Sequence, residues 1–375
     1  MANGRSRAKI RVLIVDDSPS VRTVLGAILA GDPEIAVMGS APDAYAAAGM
    51  IRAEIPDVIF LDIEMPKMDG LTFLKKIMAQ RPIPVVICSG LTEEGSDMMM
   101  QALAAGAVDV ITKPKVHTAQ HLRESAMTIC DVAKAAAHAR VRSRKPRPVT
   151  LSVEAKNLAY ILIPAISPER AEKLKLATPS TEAVICLGAS TGGTEALATV
   201  LTTLPADCPA TLVVQHMPEG FIEAFARRLD GLCAPRVAEA RDGDLALPGQ
   251  VLIAPGNHHM MLRRAGSRYS VAVVDGPPVC RHRPSVDVLF RSAAQRGGPN
   301  VVAAILTGMG DDGARGLLEI RQAGGRTIAQ NEETSVVFGM PKEAIDRGGA
   351  GQILPLGRIG AELLSLVKPH RTKLS

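Results

Sequence analysis

The sequence predicts an α/β chain of two doubly wound, mostly parallel sheets joined by a linker. Three observations carry that prediction. Short β-branched runs alternate with helix-length amphipathic segments in each half of the chain. A cationic, proline-bearing stretch at 142–148 interrupts the alternation. The length of 375 residues exceeds what one core of roughly 100–200 residues accommodates.

The first half places strands at 10–15, 36–39, 58–61, 85–88 and 108–111. Between them lie segments at 20–30, 43–54, 70–80 and 95–105, each long enough for about three helical turns. A further helix is expected from 118 to 139, and the linker follows with four positive charges and two prolines in 142–148. Within the stretch from 150 to 181, the apolar run 158–163 and the charged run 169–176 are compatible with either an extra helix or a mobile tether. A second α/β pattern opens at 183–187 and continues with strands at 210–214, 251–254, 269–274, 301–307 and 327–329. Helices are expected at 194–204, 221–229, 286–296 and 314–323. The domain boundaries follow as 8–125, a helical extension and linker over 126–180, and a second domain over 181–370.

Composition excludes several classes. With 47% hydrophobic and 22% charged residues, the chain has the material for packed cores and is not disordered. No apolar run reaches the ~18–20 residues that span a bilayer, and no apolar leader precedes the first strand, so a cytoplasmic protein without membrane insertion is expected. The six cysteines form no C-x-x-C pair and read as buried free thiols. A net charge of +5, 2% aromatic residues and no tryptophan leave little with which to grip nucleic acid.

In parallel α/β sheets, chemistry sits beyond the carboxyl ends of the strands. In the first half those ends are Asp16-Asp17, Asp62, Ser89 and Thr112-Lys113-Pro114. Acidic and hydroxyl residues at strand ends also serve as plain helix caps, but three converging carboxylates repel one another without a hard cation. A Mg²⁺ site is therefore expected, neutralising an incoming phosphoryl group. One carboxylate would attack phosphorus, while Lys113 and the Ser89 hydroxyl hold phosphoryl oxygens.

In the second half, the strand at 183–187 runs into Gly188-Ala189-Ser190-Thr191-Gly192-Gly193 and then a helix. A dinucleotide fingerprint would need glycine at 190, where serine stands. The G-x-S-x-G pattern instead places Ser190 on a sharp turn, with the Thr191 N–H aimed at a developing oxyanion. A serine nucleophile needs a base. His216 ends the strand expected beside that of Ser190 and is favoured over His258 and His259, which follow 254–257 in a turn. The third member should be a carboxylate near another strand end. The loop Gly308-Met309-Gly310-Asp311-Asp312-Gly313 offers either Asp311 or Asp312, and the Met309 N–H as a second oxyanion donor. The order Ser, His, Asp differs from that of the α/β-hydrolases, so a different topology is expected.

At the strand ends of its first half, and in 60–70 around Asp62, the chain resembles a response-regulator receiver domain of flavodoxin-like fold. That resemblance implies that Asp62 is the phosphoacceptor, with a histidine kinase as phosphodonor. It also implies that Asp17 and Asp62, beside Asp16 and the Glu64 carbonyl, bind Mg²⁺. Val110 departs from the pattern, standing where many receivers carry an aromatic switch residue. With the three loops behind it, the whole chain resembles the CheB family of chemotaxis response regulators, which are protein-glutamate methylesterases and glutamine deamidases. The resemblance implies a methylesterase domain with Ser190, His216 and Asp312 as triad and Thr191 and Met309 as oxyanion donors. The family motif G-M-G-x-D-G selects Asp312 over Asp311. It further implies methyl-accepting chemotaxis receptors as substrate, no cofactor in the esterase site, and an unphosphorylated receiver that covers the hydrolase cleft until Asp62 is phosphorylated.

Overall fold

A computed structural model describes residues 9–90, 93–114, 119–139, 183–266 and 268–367. The chain divides into two units, within 1–147 and 148–375, and each is taken by itself.

The first unit is a five-stranded parallel sheet of β1 (Ile10–Val15), β2 (Ile35–Ala41), β3 (Val58–Asp62), β4 (Val85–Ser89) and β5 (Asp109–Thr112). The order is β2-β1-β3-β4-β5, so the chain reverses direction across the sheet between β1 and β3. Its helices are α1 (Pro19–Ala30), α2 (Ala44–Ala53), α3 (Gly70–Gln80), α4 (Glu93–Ala104) and α5 (Ala119–His138), with α1 packed on α5 and α3 on α4. Their starts are set by local chemistry. Ser18 caps α1 ahead of Pro19, while Asp43 caps α2 and Asp69 caps α3 by accepting backbone N–H groups. Helix α5 spans the expected boundary at 125/126 and packs on β1, β3, β4 and β5. Residues 140–182, where the linker and its optional helix are expected, lie outside the described residues.

The second unit has seven parallel strands: β6 (Val184–Ala189), β7 (Ala210–Gln215), β8 (Arg236–Glu239), β9 (Gln250–Ile253), β12 (Val301–Ile305), β13 (Arg326–Gln330) and β14 (Gln352–Leu354). The order is β14-β13-β12-β6-β7-β9-β8. The first strand of the unit is thus its centre: the chain builds outward to β8 and later returns to the other side. Helices α6 (Gly193–Leu201), α7 (Ile222–Asp230) and α11 (Leu356–Val367) pack together. A second group is α8 (Val286–Gly297), α9 (Ala314–Gln322) and α10 (Met340–Asp346). Strands β6 and β7 are buried throughout, and Leu289 and Phe290 of α8 are fully buried in the main core. Each such side chain contributes about 1.5–3 kcal/mol.

The structure corrects several expectations. Residues 269–274 do not join the main sheet; they belong to β11 (Arg268–Val274), which pairs antiparallel with β10 (His259–Ala265) in a separate hairpin packed on α8. The pair buries Met260, Leu262, Tyr269 and Val271 against the core, so burial on one face, rather than membership of the parallel sheet, accounts for its apolar pattern. Strands β8 and β14 have four and three residues and α10 has seven, too short for periodicity to register. All six cysteines are free, but Cys233 and Cys280 are only partly buried.

Strand β6 lies close beneath α8. A Cβ on Gly188 would fall 2.2 Å from Val286 Cγ1. Gly188→Ala should therefore destabilise the second unit by about 1–3 kcal/mol, the usual cost of overpacking. Scanning calorimetry checks this as a lowered midpoint for that unit, and an unchanged midpoint would contradict the close approach.

Candidate functional site

At the carboxyl rim of the first sheet, Asp16 follows β1, Asp62 ends β3, Ser89 ends β4 and Lys113 follows β5. Asp16, Asp62 and Ser89 are buried, whereas Asp17 is exposed. Lys113 Nζ lies 2.8 Å from Asp62 Oδ2 and 3.1 Å from Asp16 Oδ2. Asp62 Oδ1 accepts the Glu64 N–H at 3.3 Å, and the Ser89 hydroxyl donates to the Gly90 carbonyl at 3.2 Å. Burial pushes the Asp62 carboxyl up to about 6; Lys113 opposes that shift and Asp16 adds to it. The Lys113 amine is raised, because its two carboxylate partners outweigh its burial. Carboxylate oxygens of Asp16, Asp17 and Asp62 lie within 4.8 Å of one another. Such an all-oxygen set suits a hard divalent cation of the Mg²⁺ type. Val110 is buried in β5, so the position of the expected aromatic switch belongs to the core.

The second rim is built around the end of β6. Ser190 leaves that strand with its N–H on the Thr307 carbonyl at 3.0 Å. Its own carbonyl accepts Gly193 N–H at 2.7 Å and Gln215 Nε2 at 2.9 Å. Gly192 sits at φ 74°, which a side chain would strain, and it opens α6 one residue later. Gly308 approaches so closely that a Cβ there would meet Ser190 Cβ at 2.7 Å. Thr307 ties the neighbouring loops together, its hydroxyl donating to the Thr191 carbonyl at 3.0 Å and accepting the Val337 N–H at 2.9 Å. Ser190 and Thr191 are both buried, and Met309 is half-buried.

His216 comes off the adjacent strand at the same level. Ala189 and Gln215 are register partners, and the His216 N–H donates to the Ala189 carbonyl at 3.1 Å. Its Nε2 lies 2.8 Å from Asp312 Oδ2. Asp312 also accepts the Val286 N–H on Oδ2 at 2.7 Å, and on Oδ1 the Ser285 hydroxyl at 2.7 Å and the Asp287 N–H at 3.0 Å. Burial alone would raise this carboxyl, but the hydrogen bond and charge of His216, with the other donors, hold it below the usual range. An ionised Asp312 makes Nε2 the protonated nitrogen of a neutral His216. The basic nitrogen is then Nδ1, which is buried and has no hydrogen-bond partner.

The remaining candidates have other partners. Asp311 pairs with Arg347 at 3.0 Å. His259 is fully buried with both ring nitrogens committed, Nδ1 accepting the Ser285 N–H at 3.2 Å and Nε2 donating to the Pro277 carbonyl at 3.0 Å. His258 binds the Gly256 carbonyl and lies 3.3 Å from Asp275. Cys280, Asp287 and Asp312 also cluster within 4.8 Å, but all of Asp312's hydrogen bonds already run to protein donors, and burial with Asp312 nearby pushes Asp287 up to about 7. That donor set is a poor cation site.

Sequence reasoning missed Ser285, Gln215, Thr307 and His282, the last of which stacks on His216. Only Ser285 carries a local signal, as a Pro-Ser step before a helix.

Residues 185–363 match the CheB methylesterase family, and residues 12–126 match the response regulator receiver domain family. A Rhodospirillum rubrum protein named protein-glutamate methylesterase/protein-glutamine glutaminase 2 is 62% identical over 361 residues, covering 95% of this chain and 98% of that one. A Rhodopseudomonas palustris protein of the same name, numbered 3, is 58% identical over 358 residues, covering 96% of each. The crystal structure of the Thermotoga maritima CheB methylesterase catalytic domain aligns at 39% identity and a TM-score of 0.49, over 50% of this chain and 99% of that one.

A raised pKa at Asp62 has a defined sign. The folded state holds this proton more tightly than the unfolded chain, so the stabilisation is full below about pH 4 and is lost as pH rises through about 6. Asp62→Asn should remove that dependence. Between pH 5 and pH 8 the first unit should lose about 1–1.5 kcal/mol more in the unmutated chain than in the variant, read from calorimetric midpoints. Parallel midpoints in the two proteins would rule out a strained Asp62 carboxylate.

Proposed function

The chain belongs to the CheB methylesterase family, with a receiver domain ahead of the esterase domain, and on that premise we propose that it hydrolyses glutamate methyl esters on methyl-accepting chemotaxis receptors. The observation that carries the reading is His216. It leaves the strand beside Ser190, its Nε2 is bound to a saturated carboxylate, and its Nδ1 is left to take a proton.

In this reading Nδ1 of His216 accepts the Ser190 hydroxyl proton as Oγ bonds to the ester carbonyl carbon. The carbonyl oxygen becomes an oxyanion held by the Thr191 and Met309 N–H groups, each worth about 2.7–4 kcal/mol of barrier in comparable sites. The C–O bond to the methoxy group then breaks, and the His216 proton leaves with it as methanol. Water, deprotonated by the same Nδ1, cleaves the acyl-serine and restores glutamate and the free hydroxyl. A glutamine side chain in place of the ester would release ammonia. Asp312 remains ionised throughout, holding Nε2–H and stabilising the imidazolium.

The first unit supplies control. Asp62, ionised at neutral pH, would attack a phosphoryl group delivered from a histidine kinase, with Lys113 and the Ser89 hydroxyl holding phosphoryl oxygens. Asp16, Asp17, Asp62 and the Glu64 carbonyl would hold Mg²⁺, which supplies charge neutralisation when bound. Phosphorylated Asp62 raises the esterase rate. Among the described residues no helix is long and apolar enough to cross a membrane.

Methanol release from methylated receptor membranes tests the reading. Ser190→Ala should lower the rate by about 10⁴–10⁶-fold without unfolding the chain. A small phosphodonor with Mg²⁺ should raise the rate of the unmutated chain and leave Asp62→Asn unchanged. Hydrolysis that survives Ser190→Ala would refute the mechanism, and a rate indifferent to phosphodonor would refute the control.

A further inference from the structure

The hydrogen bond to Asp312 fixes one atom of the His216 ring and leaves the ring able to rock about it. Rocking swings Nδ1 through an arc, and misplacement of a reacting group by about 1 Å can cost 10²-fold in rate. A second restraint is present. The imidazole of His282 lies against that of His216 with ring centroids 3.7 Å apart and planes 11° from parallel.

The turn 279–282 delivers this ring. Its end residues, Val279 and His282, exchange both backbone hydrogen bonds at 2.9 Å. Its central residues, Cys280 and Arg281, have φ of 49° and 70°, in a turn type that ordinarily carries glycine, asparagine or aspartate there. Other residues persist in that region only where the surroundings over-determine them. Here Val279 is fully buried against Val288 of α8, and Cys280 Sγ lies 3.8 Å from Asp287 Oδ2. The strained turn is therefore anchored to the same helix whose first residues hold Asp312.

We infer that His282 is a positioning residue, its ring clamping the His216 imidazole face-on so that Nε2 stays on Asp312 while Nδ1 is kept in place for the Ser190 proton. This rests on the serine-hydrolase reading above. Two imidazolium rings in such a stack would repel, so one must stay neutral. Burial and the nearby His216, with Arg281 acting in the same sense and Asp312 against it, hold the pKa of His282 well below the ordinary histidine range. A neutral ring face over a newly protonated His216 is attractive.

The test compares His282→Ala, His282→Leu and His282→Phe in the full chain, with Ser190→Ala alongside, by methanol release from methylated receptor membranes. His282→Ala should lower kcat by about 10–100-fold with KM changed less than about twofold. His282→Phe, which keeps a flat ring, should return kcat to within about fivefold. Proton NMR should show the ring-current displacement of the His216 ring protons lost in Ala and Leu and kept in Phe. Normal kcat in His282→Ala, a loss confined to KM, or Phe as slow as Ala would overturn the inference. Should the alanine variant not fold, Leu and Phe decide, and equal kcat for those two overturns it. An active Ser190→Ala sinks the hydrolase reading instead, while an inactive one beside a fully active His282→Ala sinks only the positioning role.

Discussion

Asp312 carries a negative charge with none of its surface open to water, a placement that costs several kcal/mol if left unpaired. Two backbone N–H groups from the start of α8, the Ser285 hydroxyl and the His216 ring offset that cost. The carboxylate thereby joins three parts of the second unit that are far apart in the chain: the loop after β12, the first turn of α8 and the end of β7. Remove the carboxyl group and each of those donors is left without its acceptor. Asp287 lies on that helix, and the turn that carries the stacked His282 packs on it through Val279 and Cys280, so the surroundings of the imidazole share one support with the carboxylate that orients it.

The two units solve the problem of a buried carboxylate in opposite ways. Asp312 is held below the usual range because it is saturated with donors. Asp62 is pushed up to about 6 because burial and Asp16 outweigh a single lysine that it must share. The first arrangement suits a group that never changes protonation and only holds a neighbour in place. The second leaves carboxylate repulsion that a divalent cation at Asp16, Asp17 and Asp62 would relieve.

The alternation of apolar runs made both sheets legible in the sequence, because buried parallel strands and their crossover helices need continuous apolar material. The strand ends carrying Asp62, Ser190 and His216 were legible for the same reason, since topology puts the residues after each strand on one rim. Asp311 and Asp312 could not be separated by spacing, being adjacent; the fold separates them by turning one to Arg347 and the other to His216. Residues 269–274 read as a strand of the main sheet because a strand with one buried face looks alike inside or outside it, and their hairpin partner β10 was not legible as a strand. His282 left no trace, since its contact depends on a turn whose residues, Cys280 and Arg281, advertise no left-handed backbone.

The placement of β6 at the centre of its sheet has a consequence for the newborn chain. Its partner β7 emerges from the ribosome soon afterwards, but β12 and the Asp312 loop lie more than a hundred residues beyond β6. At ordinary translation speeds that gap is on the order of ten seconds. Throughout it the serine has neither the Thr307 carbonyl for its N–H nor a carboxylate for the imidazole. In a unit wound in this order Ser190, His216 and Asp312 cannot meet until the loop after β12 has been made, and a polypeptide terminated before Asp312 would lack the carboxylate that holds the imidazole.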